Sequence, residues 1–384
     1  MPFPWLPWSG SSNTGRGGRR RTLRAQRRAT GEDAAPANAA DVQEMVERRQ
    51  RRIGYGIGGF FLLIIVGVVA FGYYQEFYKP PRVWAGSVRN VEFTMGDLVS
   101  RIRVLQGVNR YQGGQVNLSK VPFEYLQNLI HAEILRQQSP VLGINVTDED
   151  ITRDLRRQFL PEAEPGQETD PNQLEREFNA SYNAFLTATG LSDSDFRIII
   201  EEQLSLRALA ALLSQSIEDI QEQAEIQWIQ MPLESDILPT DVVRRLENEE
   251  FVRVAQELNT PSQFSGPGGY VGWVPRMAFP DLDDAIFGNE EKGLSPLAVG
   301  EVSQPIFTTD GNFIVQVISA PEERELSDTM ALKVTVELVK NWQREALEDG
   351  STQGTVRMNF NSKLYEWVTE QVFITAPRVE SRTQ

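Results

Sequence analysis

Few side chains in this sequence can do nucleophilic, acid–base or metal chemistry. His131 is the single histidine and cysteine is absent. Without cysteine there is no disulfide, no thiolate nucleophile and no thiolate-held zinc or iron–sulfur centre. One imidazole cannot build a histidine-rich metal site, and it gives a Ser-His-Asp relay no real footing. No cofactor and no metal are expected. Carboxylates remain, and two of their runs are Thr147-Asp148-Glu149-Asp150 and Ser192-Asp193-Ser194-Asp195. A hydroxyl followed three residues later by an acid marks a helix N-terminus. These acids are therefore helix caps rather than a catalytic pair. His131 follows Ile130 on an apolar helical stripe and is structural.

The elements that carry the remaining chemistry sit on an acidic body. The chain has 384 residues, room for two or three domains, and a net charge of −15. Residues 1–52 hold eleven arginines and five acids, a local charge of +6, which leaves −21 for the rest. Phosphate binding needs a cationic face, so no nucleic-acid partner is expected. The basic head suits a membrane surface. Ile53 to Tyr74 reads IGYGIGGFFLLIIVGVVAFGYY, with no charge in 22 residues. As a helix it would be about 33 Å long, enough for a hydrocarbon core of about 30 Å. Arg48, Arg49, Arg51 and Arg52 precede it; Tyr73, Tyr74, Phe77 and Tyr78 stand at its far end. This predicts a cytoplasmic, largely disordered 1–52, a transmembrane helix over 53–75 and an extracytoplasmic body, with the lipid bilayer as a partner. Cleavage as a signal peptide after Ala70 and Gly72 is the alternative; the long apolar run and long basic head favour retention. Gly54 and Gly58 have the small-xxx-small spacing of a helix-packing face.

Lys79-Pro80-Pro81 stops the helix. Residues 82–222 read mostly as helix. Leu126, Leu129, Ile130 and Ile134 form a stripe at helical spacing, and Gly143 ends that helix. PEAEPGQETDPN (161–172) reads as a loop. The texture changes at 225. A strand is expected at 226–231 and an amphipathic helix at 240–258. A glycine turn and strand follow at 265–274, then helical turns at 281–287 and a strand at 312–319. Helices return at 326–348 and 357–372, with Trp342 and Trp367 as packing residues.

The unit at 226–320 resembles the parvulin-type peptidyl-prolyl isomerase domain. The residues that carry the resemblance are FVRVAQELN (251–259), GGYVGW (268–273), DLDDAIF (281–287) and VGEVSQPIFTTDGNFIVQV (299–317), in the family's order. GINVTDEDI (143–151) and GLSDSDFR (190–197) are similar to phrases in the chaperone domain of SurA- and PrsA-type foldases. The whole layout resembles a PpiD- or PrsA-like membrane-attached foldase. The implied fold class is α + α/β: one N-terminal transmembrane helix, a mostly helical SurA-like chaperone domain (82–222), an inserted parvulin-like, FKBP-like α+β domain (225–322), and C-terminal helices (326–374) that complete the chaperone domain.

Prolyl isomerisation makes no lasting bond; its barrier of about 18–20 kcal/mol is amide resonance. A catalyst must hold the proline in an apolar, water-poor pocket and favour the twisted amide. The resemblance implies substrate-binding positions at Trp228, Val271, Met277 or Ala278, Leu282 and Phe313. Trp228 and Phe313 stand where the family has its two pocket histidines. The rim segment TPSQ (260–263) offers Ser262 in place of the family's Cys or Asp, and Thr308 matches the threonine beneath the floor. Ser262 and Thr308 are thus the catalytic candidates. On residue type alone, Trp228 and Phe313 are also ordinary core residues, Ser262 a turn residue, and Gly268 and Gly269 servants of backbone geometry. The resemblance implies a foldase for unfolded or proline-containing exported polypeptides, with isomerase activity left open by the replaced histidines. The alternative is a non-catalytic scaffold docking a membrane partner such as the secretion machinery.

Overall fold

The computed structural model describes residues 39–111, 121–160, 170–260, 262–359 and 361–375. Of the head expected to be largely disordered (1–52), residues 1–38 lie outside the described residues and 39–52 are helical; most of the expected loop at 161–172 also lies outside them. The loop's last part is corrected: Asp170 caps a helix that Pro171 opens.

Helix α1 (Ala39–Tyr73) belongs to a unit that ends at Gly72. Its apolar stretch continues through a π turn, giving Tyr55–Tyr78, with mean hydropathy 2.3 and none of its window buried. Among the described residues this is the one helix long and apolar enough to cross a membrane. Gly58 has open space where a side chain would be. The α-helix stops where the sequence says it must. Tyr74–Tyr78 widens to a π turn and Pro80–Arg82 tightens to a 3-10 turn. Arg82 donates to the Tyr78 carbonyl at 2.8 Å and lies 3.7 Å over its ring.

The body opens with strands β1 (Trp84–Val88) and β2 (Val91–Thr94), where the sequence suggested helix. WAGSV carries little β-branching and no clean alternation, so its pattern is mute. It is a strand because it pairs on one edge with β2, next in sequence, and on the other with a segment more than 260 residues later. After helices α2 (Met95–Tyr111), α3 (Val121–Leu142), α4 (Asp148–Phe159), α5 (Pro171–Thr189) and α6 (Asp193–Ser214) comes a second sheet. It contains β3 (Ile220–Met231), β4 (Tyr270–Pro275), β5 (Ile306–Thr308) and β6 (Gly311–Glu325), with α7 (Pro239–Leu246), α8 (Phe251–Leu258) and α9 (Pro280–Phe287) between them. The chain ends in α10 (Asp328–Thr352), β7 (Val356–Met358) and α11 (Ser362–Thr375). β7 replaces the start of the helix expected at 357–372. It pairs antiparallel with β1, Gly86 opposite Met358 and Val88 opposite Val356, giving the order β2-β1-β7.

The second sheet is antiparallel with order β4-β3-β6-β5. Its strands outrun the expected ones at 226–231 and 312–319, because β3 and β6 pair from Ile220–Glu325 to Met231–Asn312. The single helix expected at 240–258 is two. The break at 247–250 is held by Arg245, whose guanidinium bonds Glu249 and, across the break, Glu257.

The caps read from sequence form as expected. Thr147 and Asp150 make a reciprocal capping box, and Ser192 accepts from the Asp195 amide at 3.1 Å. Leu126, Leu129, Ile130 and Ile134 are all buried against β1, α2 and α11. Phe178, Tyr182, Phe185 and Phe196 form a second core with Ile151 and Leu155. Trp342 and Trp367 pack against the first core. Helix α10 is the bridge: Met330 and Val334 enter the core of the β4-β3-β6-β5 sheet, while Val339 and Trp342 pack on the helical side. Thr147→Ala should lower unfolding stability by about 1 kcal/mol, and Ile130→Ala by about 2–5 kcal/mol. Denaturant titration of the two variants checks both, with the larger loss expected for Ile130.

Candidate functional site

The site residues come together on one face of the β4-β3-β6-β5 sheet. Strand alternation points Trp228 of β3 and Phe313 of β6 to the face that α9 covers. Trp228 is 1% exposed and Phe313 7%. Leu282 of α9 and Ala278 just before it are buried in the same cluster, and Val271 packs half-buried on its edge. The Trp228 ring meets Phe279 edge-on at 4.9 Å and Phe313 at 5.4 Å. Phe264 meets Phe279 edge-on at 5.3 Å. Where a family member would carry imidazoles, this chain builds an aromatic wall.

Glycine is required at one point of this wall. Gly269 has φ +80°, and a Cβ there would lie 2.2 Å from the Trp228 carbonyl oxygen. The close approach lets the Trp228 amide donate to the Gly269 carbonyl at 2.8 Å. Neighbouring Gly268 has no such backbone demand; a Cβ there meets only the Val252 side chain at 3.1 Å.

Between Met277 and Ala278 the structure chooses. Ala278 points inward, while Met277 is 36% exposed with φ +67°. The Met277 amide donates to Asp283 Oδ2 at 2.8 Å, which holds the turn in this unfavourable backbone region. The two hydroxyl candidates are engaged locally. Ser262 Oγ accepts from the amides of Phe264 and Ser265, at 3.3 and 3.1 Å. Thr308 Oγ1 donates to the Gly311 carbonyl at 2.9 Å and accepts from the Asp310 amide at 3.1 Å, closing the β5–β6 turn.

A cleft of about 270 Å³ opens above this floor. Phe279, Leu282, Thr308 and Phe313 line one side. Trp228 and Ala278 lie beneath as support rather than as lining, and Ser262 and Val271 are outside it. The opposite side is α10, through Lys333, Glu337, Lys340 and Arg344. Sequence reasoning missed this wall. The spacing of those four residues does place them on one helix face, but nothing in the pattern says what the face looks at. Glu337 Oε1 accepts from Lys333 Nζ at 2.6 Å and Lys340 Nζ at 2.8 Å. Burial pushes the Glu337 carboxyl up, but the two lysine hydrogen bonds outweigh it and hold the group below its ordinary range. It stays an anion and is poorly suited to general-acid work. The arrangement can hold an apolar ring against aromatic and aliphatic groups and keep water from it. Its floor, Phe279, Leu282 and Phe313, carries no nucleophile. His131 is far along the chain on α3, where burial lowers its pKa. Among the described residues no cluster of acids and histidine could hold a metal ion.

No protein-family model matches the chain. One curated protein is similar: the foldase protein PrsA of Oceanobacillus iheyensis, 23% identical over 248 residues, which are 63% of this chain and 73% of that protein. Its relatives are PrsA- and SurA-like parvulin foldases. Among solved structures, the peptidylprolyl isomerase PrsA of Bacillus anthracis is 15% identical, covers 61% of this chain and 99% of its own, and gives a TM-score of 0.37. NmPin, the parvuline of Nitrosopumilus maritimus, is 24% identical over 26% of this PrsA-like chain and 97% of its own, with TM-score 0.21. A structure of the SurA-like chaperones PEB4 and Cj1289 of Campylobacter jejuni is 13% identical over 73% of this chain and 100% of its own, with TM-score 0.25.

Asp283 gives the site's support a pH dependence. Burial raises its carboxyl from 3.8 to about 6, against the opposing Met277 hydrogen bond and the Arg276 charge. The folded state therefore binds this proton more tightly than the unfolded chain. The stability it contributes is complete below pH 4 and lost as pH rises through about 6. Asp283→Asn should flatten that part of the stability–pH profile, since the amide oxygen still accepts from Met277. Chemical denaturation of both proteins from pH 4 to 7 reads the difference.

Proposed function

We propose that this chain is a membrane-anchored foldase that holds unfolded exported polypeptides and turns over their X–Pro bonds slowly. One observation carries the reading: Phe279, Leu282 and Phe313 form an apolar, ring-sized floor on the sheet, and the charged and hydroxyl side chains of the cleft stand around that floor rather than in it. Prolyl isomerisation is among the few reactions that need nothing more. Planarity of the amide rests on charge separation between its nitrogen and oxygen, which water stabilises. An X–Pro bond seated on an aromatic floor loses that help, so the twisted amide is relatively favoured. The barrier of about 18–20 kcal/mol falls modestly. The donors of the cleft stand on the α10 wall and not in the floor that seats the ring, so the gain stays small and the turnover slow.

The foldase relatives support the client class, and the helical half supports holding. The arginine-flanked helix supports attachment with the body on the far side from the cytoplasm, by the bias that keeps arginine inside. The reading is tested with the full chain in detergent micelles, in two assays. It should suppress aggregation of an unfolded protein at near-equal ratio. It should also shorten the relaxation of a proline peptide, which takes tens to hundreds of seconds uncatalysed. Phe279→Ala should return the peptide relaxation to the buffer rate while suppression persists. A chain that neither suppresses aggregation nor speeds isomerisation overturns the proposal.

A further inference from the structure

The cleft is walled by two different parts of the chain. Its floor belongs to the sheet and α9; its opposite wall belongs to α10. Two stripes on α10 do different work. Met330 and Val334 go into the core, which fixes the helix at the sheet. Lys333, Glu337, Lys340 and Arg344 lie on the adjoining face and look across the cleft.

The charges on that face are organised. The Lys333 side chain is 17% exposed, and its ammonium lies 5.0 Å from the Phe279 ring centre and 6.0 Å from that of Phe264. A cation over aromatic faces is held there by the ring quadrupole. Glu337 is shared between Lys333 and Lys340. Arg344 donates to Asn341 Oδ1 at 2.9 Å, and among the described residues it forms no ion pair with a carboxylate. Three cations and one anion leave the α10 wall at +2. Asp281 and Asp310, the acids across the cleft, are both exposed. The Lys340 side chain is 59% exposed as well, so water screens both sides, and what distinguishes them is position: positive charge on α10, negative charge across the cleft.

We propose that α10 makes this groove charge-selective: it takes extended client segments that carry an aspartate or glutamate close to the proline or aromatic ring seated on Phe279 and Leu282. This rests on the foldase reading of the same cleft. The incoming carboxylate meets Lys340 and Arg344. The ring stays on the neutral floor, and the two opposing aspartates disfavour the acid on their side. α10 thereby sets which way round the segment lies. Neither feature belongs to the sheet alone.

The test uses three fluorescent peptides that differ only in the residue preceding proline: Glu, Gln or Lys. Binding to the full chain in neutral detergent is followed by anisotropy. The Glu peptide should bind roughly two- to fivefold tighter than the Gln peptide, the range expected for a partly exposed ion pair, and the Lys peptide weaker than both. The ranking should close up in about 1 M salt, where the screening length is about 3 Å. In the double variant K340Q/R344Q the three affinities should converge, and in K340E/R344E the Lys peptide should bind best. Both positions are on the helix surface, and circular dichroism confirms that the variants remain folded. Equal affinities in the wild-type chain, or a Glu preference that survives in K340Q/R344Q, overturn the proposal and leave the foldase reading standing. Failure of all three peptides to bind removes both.

Discussion

The structure depends on one helix with a foothold in two cores. Near its start α10 commits Met330 and Val334 to the sheet that holds the aromatic floor. Further along it commits Val339 and Trp342 to the helical side. A fully buried apolar side chain is worth about 1.5–3 kcal/mol; Met330 and Val334 come close to that, and the partly buried Val339 and Trp342 contribute less each. The cleft exists because those two commitments fix the distance between a neutral floor and a charged wall. A sheet of this kind without the following helix would have the floor and an open face.

The floor of the cleft is apolar: Phe279, Leu282 and Phe313 bring no hydrogen-bonding side-chain group to it. The rings of Trp228, Phe279 and Phe313 support one another through edge-to-face contacts. Gly269 serves the strand backbone beneath them, since only a residue without a Cβ allows the strand end to approach the Trp228 backbone so closely.

Much of this was legible in the sequence where the signal is local. Thr147 and Ser192 announced helix starts because a cap is written in four residues. The Leu126–Ile134 stripe announced a buried face because helical spacing repeats within a few turns. Trp228, Ala278, Leu282 and Phe313 were singled out through the order of motifs around them, and the structure gathers all four in one buried cluster. What escaped was set by partners remote in sequence. Trp84–Val88 pairs with β2 beside it in sequence, but its other edge is completed by Val356–Met358, a pairing no local pattern announces. The split between α7 and α8 follows from where Arg245 finds Glu257. Met277 looked equivalent to Ala278 until the Asp283 hydrogen bond fixed the turn. Lys333 to Arg344 could be seen as a face, but not as a wall of this cleft.

The β1–β7 pairing has a consequence for how the molecule comes into being. Asn359 reaches back to donate to the Trp84 carbonyl at 2.8 Å, across 275 positions of sequence. Contacts that distant close late, because the intervening chain must surrender its freedom first. A chain made from its N-terminus would present the first hairpin with one edge unpaired until nearly the last residues arrive, and an unpaired edge invites foreign strands. During its own synthesis the chain therefore carries an open strand edge of its own, and shelter for that edge until Val356–Met358 arrive would guard it against foreign pairing.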